Sequence, residues 1–259
     1  MIKVITLSAL LLMAIGLAAC LQAPTPLPPF PTTTPLPPTN TPTPTVVWFP
    51  PTATFTPLPA PTQALTPTLD TRPQYGTLIL ADDFSNPGPW TLSRTTTGSL
   101  AITMNELTVA VAQPGGYLFS LRQQPDFTDF YAEITASPSL CRGPDEYGML
   151  LRYSPSKDFY RFSLSCDGQV RLDRFYKGVA SSPQPWMLSG AVPPGAPSSS
   201  RIAVLAAGKE MRFYVNDQFV FSVNDPTIPA GNLGVFARSA GDTVVTVNFS
   251  DLKVYRPSQ

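Results

Sequence analysis

Three arginines and an aspartate recur at alternating positions in three consecutive segments, each predicted to be a β-strand. Arg152, Arg161, Arg171 and Asp173 take polar positions in segments whose other residues are mainly apolar. Because successive side chains of a strand point to opposite faces of a sheet, we predict that all four lie on the face away from the core. The planar fork of donors on arginine suits carboxylates and vicinal oxygens, so this face is a candidate site for an acidic or neutral glycan. The alternative is a solvated face whose charges pair with one another.

Trp186 follows the third of these strands, in a Pro-, Ser- and Gly-rich segment around 181–200 that is predicted to be a loop. An aromatic ring supplies an apolar surface on which a sugar can stack. We therefore predict Trp186 as a candidate glycan platform. Its alternative role is to cover the edge of the core, the role predicted for Trp90.

Acid–base and nucleophilic chemistry has few candidate residues in this sequence. The chain contains no histidine, which excludes Ser-His-Asp and Cys-His mechanisms and the usual zinc sites that contain histidine. Asp145 and Glu146 are adjacent, so within a strand they would point to opposite faces. The sequence favours a role other than catalysis and leaves carboxylate-only catalysis open.

A β-sheet must position these residues, and alternation with a period of two recurs throughout the predicted domain, residues 74–259. Asp167-Gly168 and Asn216-Asp217 are hairpin signals, and no segment shows a sustained helical stripe. We predict an all-β fold, a jelly-roll β-sandwich of two antiparallel sheets. The outward placement of the arginines depends on register, because a slip of one residue reverses every side chain. The predicted strands are 77–81, 100–104, 106–111, 116–121, 130–136, 148–153, 159–166, 169–176, 201–206, 211–215, 218–223, 233–238, 243–249 and 251–255.

The first twenty residues have the order of a secretory signal. Lys3 precedes a charge-free apolar stretch that ends in Leu17-Ala18-Ala19-Cys20. This ending resembles the bacterial lipobox, which implies a signal peptide over 1–19 and a lipidated Cys20 as the first mature residue. The expected partner is then a membrane, reached through the lipid on Cys20, and the expected location is the extracellular face of a bacterial cell envelope. A transmembrane anchor, the alternative, needs about 20 apolar residues, whereas prolines begin at Pro24.

A proline- and threonine-rich segment, 20–73, separates Cys20 from the predicted domain. Residues 24–73 alone contain 17 of the 32 prolines and 15 threonines, and no charged residue lies between Lys3 and Asp70. Such a composition buries too little apolar surface to offset the entropy of ordering, so we predict a disordered stalk. The whole chain has a formal net charge of zero, which gives no electrostatic argument for nucleic acid as a partner.

Two further cysteines, Cys141 and Cys166, stand at the ends of predicted strands in a protein predicted to be exported. An extracellular compartment permits disulfides, so we predict a bond between them. Its contribution would be structural, at roughly 3 kcal/mol for this separation. The alternative is two separate buried thiols.

The order of several segments resembles the concanavalin A-like lectin and glucanase superfamily over about 77–256. The segments that carry the resemblance include Asp82-Asp83-Phe84, Gly148-Met149-Leu150-Leu151-Arg152-Tyr153 and Asp158-Phe159-Tyr160-Arg161-Phe162-Ser163, and the chain closes with Asn248-Phe249-Ser250-Asp251-Leu252-Lys253-Val254-Tyr255. The superfamily includes lectins, laminin-G-like adhesion modules and 3-keto-disaccharide hydrolases, so the resemblance implies a fold more strongly than a function.

The resemblance also implies two sites that can be compared with the sequence. Sandwich glucanases resembling laminarinases carry Glu-x-Asp-x-x-Glu, and none of the domain's glutamates begins that spacing; they are Glu106, Glu133, Glu146 and Glu210. A structural calcium sometimes binds in this superfamily, and Asp82, Asp83 and Asp251 lie in segments that pair there. Calcium favours clustered oxygen ligands, and these three aspartates are separated in the sequence, so we expect no metal and no cofactor.

These expectations combine into a cell-surface lipoprotein that presents a β-sandwich able to bind a carbohydrate or an envelope polymer. The alternatives are a glycoside hydrolase of the 3-keto-disaccharide type and a protein–protein adhesion module.

Overall fold

Two antiparallel β-sheets stack face to face in the computed structural model, which describes residues 74–258. The predicted signal peptide (1–19), Cys20 and the predicted stalk (20–73) lie outside the described residues. Within the part of the chain that is described, no helix is long and apolar enough to cross a membrane. The prediction of an all-β jelly-roll sandwich is confirmed.

Fifteen strands make up the two sheets. They are β1 (Tyr75–Asp82), β2 (Ser93–Arg94), β3 (Gly98–Thr103), β4 (Glu106–Val111), β5 (Tyr117–Leu121), β6 (Phe130–Leu140), β7 (Gly143–Tyr153), β8 (Phe159–Cys166), β9 (Gln169–Tyr176), β10 (Val179–Leu188), β11 (Ser200–Ala207), β12 (Glu210–Val215), β13 (Gln218–Asn224), β14 (Asn232–Arg238) and β15 (Val245–Pro257). The nine-stranded sheet has the order β13-β12-β11-β6-β15-β4-β3-β2, with β1 also paired to β15, and the six-stranded sheet has the order β10-β9-β8-β7-β14-β5.

The core lies between the sheets and is filled by the apolar positions of the alternating pattern. Phe162 on β8 contacts Phe213 and Phe221 of the opposite sheet, with ring centroids 4.7 and 5.8 Å apart. Fully burying a side chain of this size contributes about 1.5–3 kcal/mol. Because alternate residues of β8 and β9 must enter this core, the residues between them are turned outward.

Several strand assignments differ from the predictions: β2 was not predicted, and β6 ends at Leu140 rather than at 136. β7 begins at Gly143 rather than at 148, and the segments predicted as 243–249 and 251–255 form one strand, β15. The predicted loop around 181–200 contains β10, whose two prolines are tolerated because β10 is the edge strand of its sheet.

Cys141 and Cys166 form the predicted disulfide, with their Cα atoms 5.9 Å apart and 25 residues of separation. The bond ties the connection between β6 and β7 to the end of β8. Cross-linking of this kind restricts the unfolded chain, which stabilises the fold by roughly 3 kcal/mol.

Candidate functional site

The outer face of the six-stranded sheet carries a row of alternating charges from four neighbouring strands. We call it the charge ladder, and its members are Arg238 on β14, Glu146 on β7, Arg161 on β8, and Asp173 and Arg171 on β9. In the strand register Glu146 is opposite Arg238, and Arg161 is opposite Asp173. The strand pairing therefore brings together three of the residues that the sequence predicts for this face, namely Arg161, Arg171 and Asp173.

Each charge in the ladder contacts a neighbour of opposite sign. Arg238 Nη1 lies 2.7 Å from Glu146 Oε1, and Arg161 Nη2 lies 3.9 Å from Glu146 Oε2 and 2.7 Å from Asp173 Oδ2. Arg171 Nε donates to Asp173 Oδ2 at 2.8 Å, and the Ser182 hydroxyl donates to Asp173 Oδ1 at 2.6 Å. The ladder runs positive, negative, positive, negative, positive across the sheet.

Asp173 is the most heavily bonded member. Burial opposes its ionisation, but hydrogen bonds from Arg171, Ser182 and Arg161 outweigh that effect and hold the pKa of Asp173 below its ordinary value. For Arg161 burial favours the neutral form, yet Asp173 and Glu146 together raise the pKa of its guanidinium. The centre of the ladder is therefore fully ionised at neutral pH.

Aromatic rings surround the ladder on the same face. The guanidinium carbon of Arg161 lies 5.8 Å from the Tyr117 ring centroid, 5.1 Å from that of Phe175 and 5.6 Å from that of Phe236. Arg171 lies 5.1 Å from the Trp186 ring centroid. Cation–π contacts of this length hold the arginines in place.

A continuous ribbon of rings runs beside the ladder, and we call it the aromatic ribbon. It consists of Phe119, Tyr153, Phe159 and Phe175, whose successive centroids are 6.0, 5.2 and 4.6 Å apart. All four side chains, like Tyr117 and Trp186, are partly exposed. The face therefore offers flat apolar surfaces next to charged donors.

Gly148 forms part of the floor of this face. Its φ of +155° lies in the region that favours glycine, and a Cβ added there would meet the Phe162 carbonyl oxygen at 2.1 Å. The strand pairing of β7 and β8 at this point therefore requires glycine.

Arg152 does not belong to this face, and its predicted placement there is wrong. It is fully buried, and it donates to the carbonyl oxygens of Thr128, Gly208 and Ile228 at 2.8, 3.0 and 3.0 Å. At this point in the pairing, one residue of β14 lies opposite two residues of β7, which is a β-bulge, and Arg152 has a φ of +50°. The bulge shifts the alternation by one residue, so Arg152 turns inward and Tyr153 joins the aromatic ribbon.

One other prediction changes with the structure. Trp186 lies on the edge strand β10 rather than in a loop, and it remains beside the ladder. Among the three aspartates considered as calcium ligands, Asp82 accepts from Arg122 Nε at 2.9 Å and from Trp90 Nε1 at 3.1 Å. In residues 74–258 no group of three histidine, cysteine, aspartate or glutamate side chains is placed to hold a metal.

Four buried polar atoms on this face have no hydrogen-bond partner among the described residues. They are Tyr117 Oη, Glu146 Oε2, Arg161 Nε and Ser163 Oγ. Buried polar groups in proteins are nearly always paired, so the described residues leave the polar network beneath this face partly unsatisfied.

Sequence reasoning missed Glu146, Arg238 and the aromatic ribbon. Glu146 lies outside the predicted strand, which starts at 148, whereas β7 begins at Gly143. Arg238 pairs with Glu146 although the two residues are 92 positions apart in the sequence. A local sequence pattern does not predict a pairing over that separation. The signal for the aromatic ribbon was the pair Phe159 and Phe175, which take outward positions in the predicted strands 159–166 and 169–176.

No protein-family model and no curated protein matches this chain. Among solved structures it is similar to a protein of unknown function with a galectin-like fold from Bacillus subtilis (TM-score 0.54, 11% identity, 71% of this chain and 97% of that one). It is also similar to a β-glucanase from Bacillus licheniformis (TM-score 0.53, 12% identity, 71% and 100%) and to Crh5 transglycosylase in complex with NAG (0.52, 13%, 72% and 88%). At these identities the likeness shows the fold alone, a β-sandwich, which is the fold that the resemblance in the sequence implies.

Proposed function

We propose that this protein binds a carbohydrate polymer on the outer face of its six-stranded sheet, without hydrolysing it. The observation that carries the proposal is the arrangement of partly exposed rings around the charge ladder. Sugars present apolar ring faces and polar hydroxyl edges, and a site that combines flat aromatic rings with guanidinium donors complements both. The Crh5 structure with NAG, which shares this fold, supports a saccharide as the kind of ligand.

The state of the two carboxylates favours binding over hydrolysis. Glycoside hydrolysis needs one carboxyl group that is protonated at working pH and a second that is free to act as base or nucleophile. Glu146 and Asp173 do converge, since both contact Arg161 Nη2. Asp173 has a lowered pKa and is hydrogen-bonded to three side chains, and Glu146 is paired with Arg238 at 2.7 Å. Both carboxylates are engaged in ion pairs, which supports binding over hydrolysis.

Replacing Trp186 by alanine is expected to weaken polysaccharide binding about tenfold, because the exposed ring beside Arg171 would be lost. The full chain would be screened on a glycan array and by retardation in polysaccharide gels. Phe219→Ala is the matched control, since Phe219 is exposed on the nine-stranded sheet. Equal retardation of the wild type and Trp186→Ala, with loss in Phe219→Ala, would move the site to the other sheet.

We further propose that a lipid on Cys20 anchors the protein to a bacterial membrane and that the segment 20–73 holds the sandwich away from it. The position of Cys20 after a signal-like segment supports this. Cys20→Ser is expected to move the protein from the membrane fraction to the soluble exported fraction. Ala19→Ser, which keeps the cysteine, is the control, and membrane retention of Cys20→Ser would overturn the anchor.

A further inference from the structure

Exposure separates the two terminal arginines of the charge ladder from its buried centre, which includes Arg161. The carboxylate side chains of Glu146 and Asp173 are 4% and 3% exposed, whereas the terminal arginines, Arg238 and Arg171, are 39% and 23% exposed. The five formal charges sum to a surplus of one positive charge. A ligand that approaches this face therefore meets guanidinium groups, with the carboxylates beneath them.

The hydrogen-bonding capacity of the face is also mostly of one kind. Arg238 uses Nη1 and Arg171 uses Nε and Nη2 for their carboxylates, which leaves other N–H groups of each guanidinium without a partner among the described residues. A sugar hydroxyl both donates and accepts hydrogen bonds, whereas an ionised carboxylate, sulfate or phosphate group only accepts them. An anionic group therefore matches this surplus of donors.

The two exposed arginines lie far apart along the sheet. Arg171 and Arg238 are on β9 and β14, with β8 and β7 between them. At a strand spacing of about 4.8 Å their backbones are about 14 Å apart. One anionic group cannot occupy both ends of the ladder, so the spacing suits an extended polymer that carries repeated negative groups.

We propose that the ligand of this face is an anionic polysaccharide, held by Arg171 and Arg238 at the two ends of the charge ladder and by the aromatic rings between and beside them. This inference rests on the proposed function and adds the class of polymer. The buried carboxylates act as positioning residues that hold the guanidinium groups.

The test compares polymers that differ in charge, using the full chain purified in mild detergent. The probes are polygalacturonate, its fully methyl-esterified neutral form, dextran sulfate and dextran. We expect binding of at least one charged polymer to exceed binding of its neutral counterpart at least about tenfold and to weaken as NaCl rises from about 0.05 to 0.5 M. Polygalacturonate and dextran sulfate distinguish a carboxylate from a sulfate-type group.

Two variants locate the effect. Arg171→Gln and Arg238→Gln should each reduce the preference for the charged polymer by about tenfold. Arg212→Gln, which removes an exposed arginine from the nine-stranded sheet, should not change it. Far-UV circular dichroism and thermal unfolding confirm that each variant is folded, and Arg171→Lys reports whether the fork or only the charge is needed.

Three outcomes would overturn the inference. Equal binding of charged and neutral polymers would refute it while leaving the proposed function intact. Loss of preference in Arg212→Gln as well would indicate nonspecific charge attraction. Absence of binding to both charged polymers would also refute it, and the proposed function would fail with it only if the neutral glycans of the array were unbound too.

Discussion

Arg152→Met is expected to lower the free energy of unfolding by about 3–5 kcal/mol, because it removes a buried charge that satisfies several backbone groups at once. The side chain of Arg152 is completely buried, and its guanidinium holds three carbonyl oxygens from three separate loops. Methionine keeps much of the length and apolar volume of arginine but donates nothing. The carbonyl group of Ile228, which is buried, would be left without this donor, which costs about 1–3 kcal/mol. The carbonyl groups of Thr128 and Gly208, on exposed residues, would lose a charged donor.

Urea denaturation of the full chain measures this change, with the Arg212→Met variant beside it. Arg212 is exposed and pairs with the exposed Glu210, so its replacement should shift stability by no more than about 0.5 kcal/mol. If Arg152→Met matched the wild type in stability, the structural role of this guanidinium would be refuted. Because Arg152 is structural, its variants are unsuitable as probes of ligand binding.

Asp173→Asn is expected to cost about 3 kcal/mol or more at pH 7 and to abolish glycan binding. The carboxylate of Asp173 is the shared partner of Arg161 and Arg171. Asparagine would leave Arg171 without its counter-charge and would leave Arg161 only the weaker contact with Glu146, at 3.9 Å. With the centre of the ladder uncompensated, the arginines would no longer be held in position for a ligand.

The stability lost in Asp173→Asn should depend on pH, because the pKa of Asp173 is lowered in the folded protein. A carboxyl group whose pKa is lower in the folded protein stabilises the fold above its unfolded pKa of about 3.9 and loses that contribution as pH falls through the folded value. The stability difference between the wild type and Asp173→Asn should therefore be full at pH 7 and should shrink below about pH 4. Unfolding measured at pH 7 and at about pH 2.5 tests this, with Glu210→Gln as an exposed control. A difference that stays constant with pH would show that Asp173 does not contribute through its charge.

Much of the fold followed from a local pattern. Period-two alternation placed Phe162, Leu164, Val170 and Leu172 in the core, and all four are completely buried. The same alternation turned Arg161, Arg171 and Asp173 to the opposite face, where they form the centre of the ladder. These residues were predictable because β8 and β9 are regular strands joined by a tight turn.

The remainder of the site depends on features that a local pattern does not contain. Arg152 and Tyr153 exchanged faces because a bulge against β14 inserts one residue into β7. Arg238 reaches the ladder only because β14 pairs with β7. Trp186 reaches it because the edge strand β10 pairs with β9, and the prolines of β10 led to the prediction of a loop there. Long-range pairing and bulges arise from the assembled sheet.

The most direct test of the proposed binding face is hydroxyl-radical footprinting of the full chain, with and without a polysaccharide that retards it in gels. The proposed face predicts slower oxidation of Tyr117, Phe175 and Trp186 in the presence of the polymer, with no change at Phe219, which is exposed on the nine-stranded sheet. Protection of Phe219, with Trp186 oxidised at the same rate in both states, would contradict it.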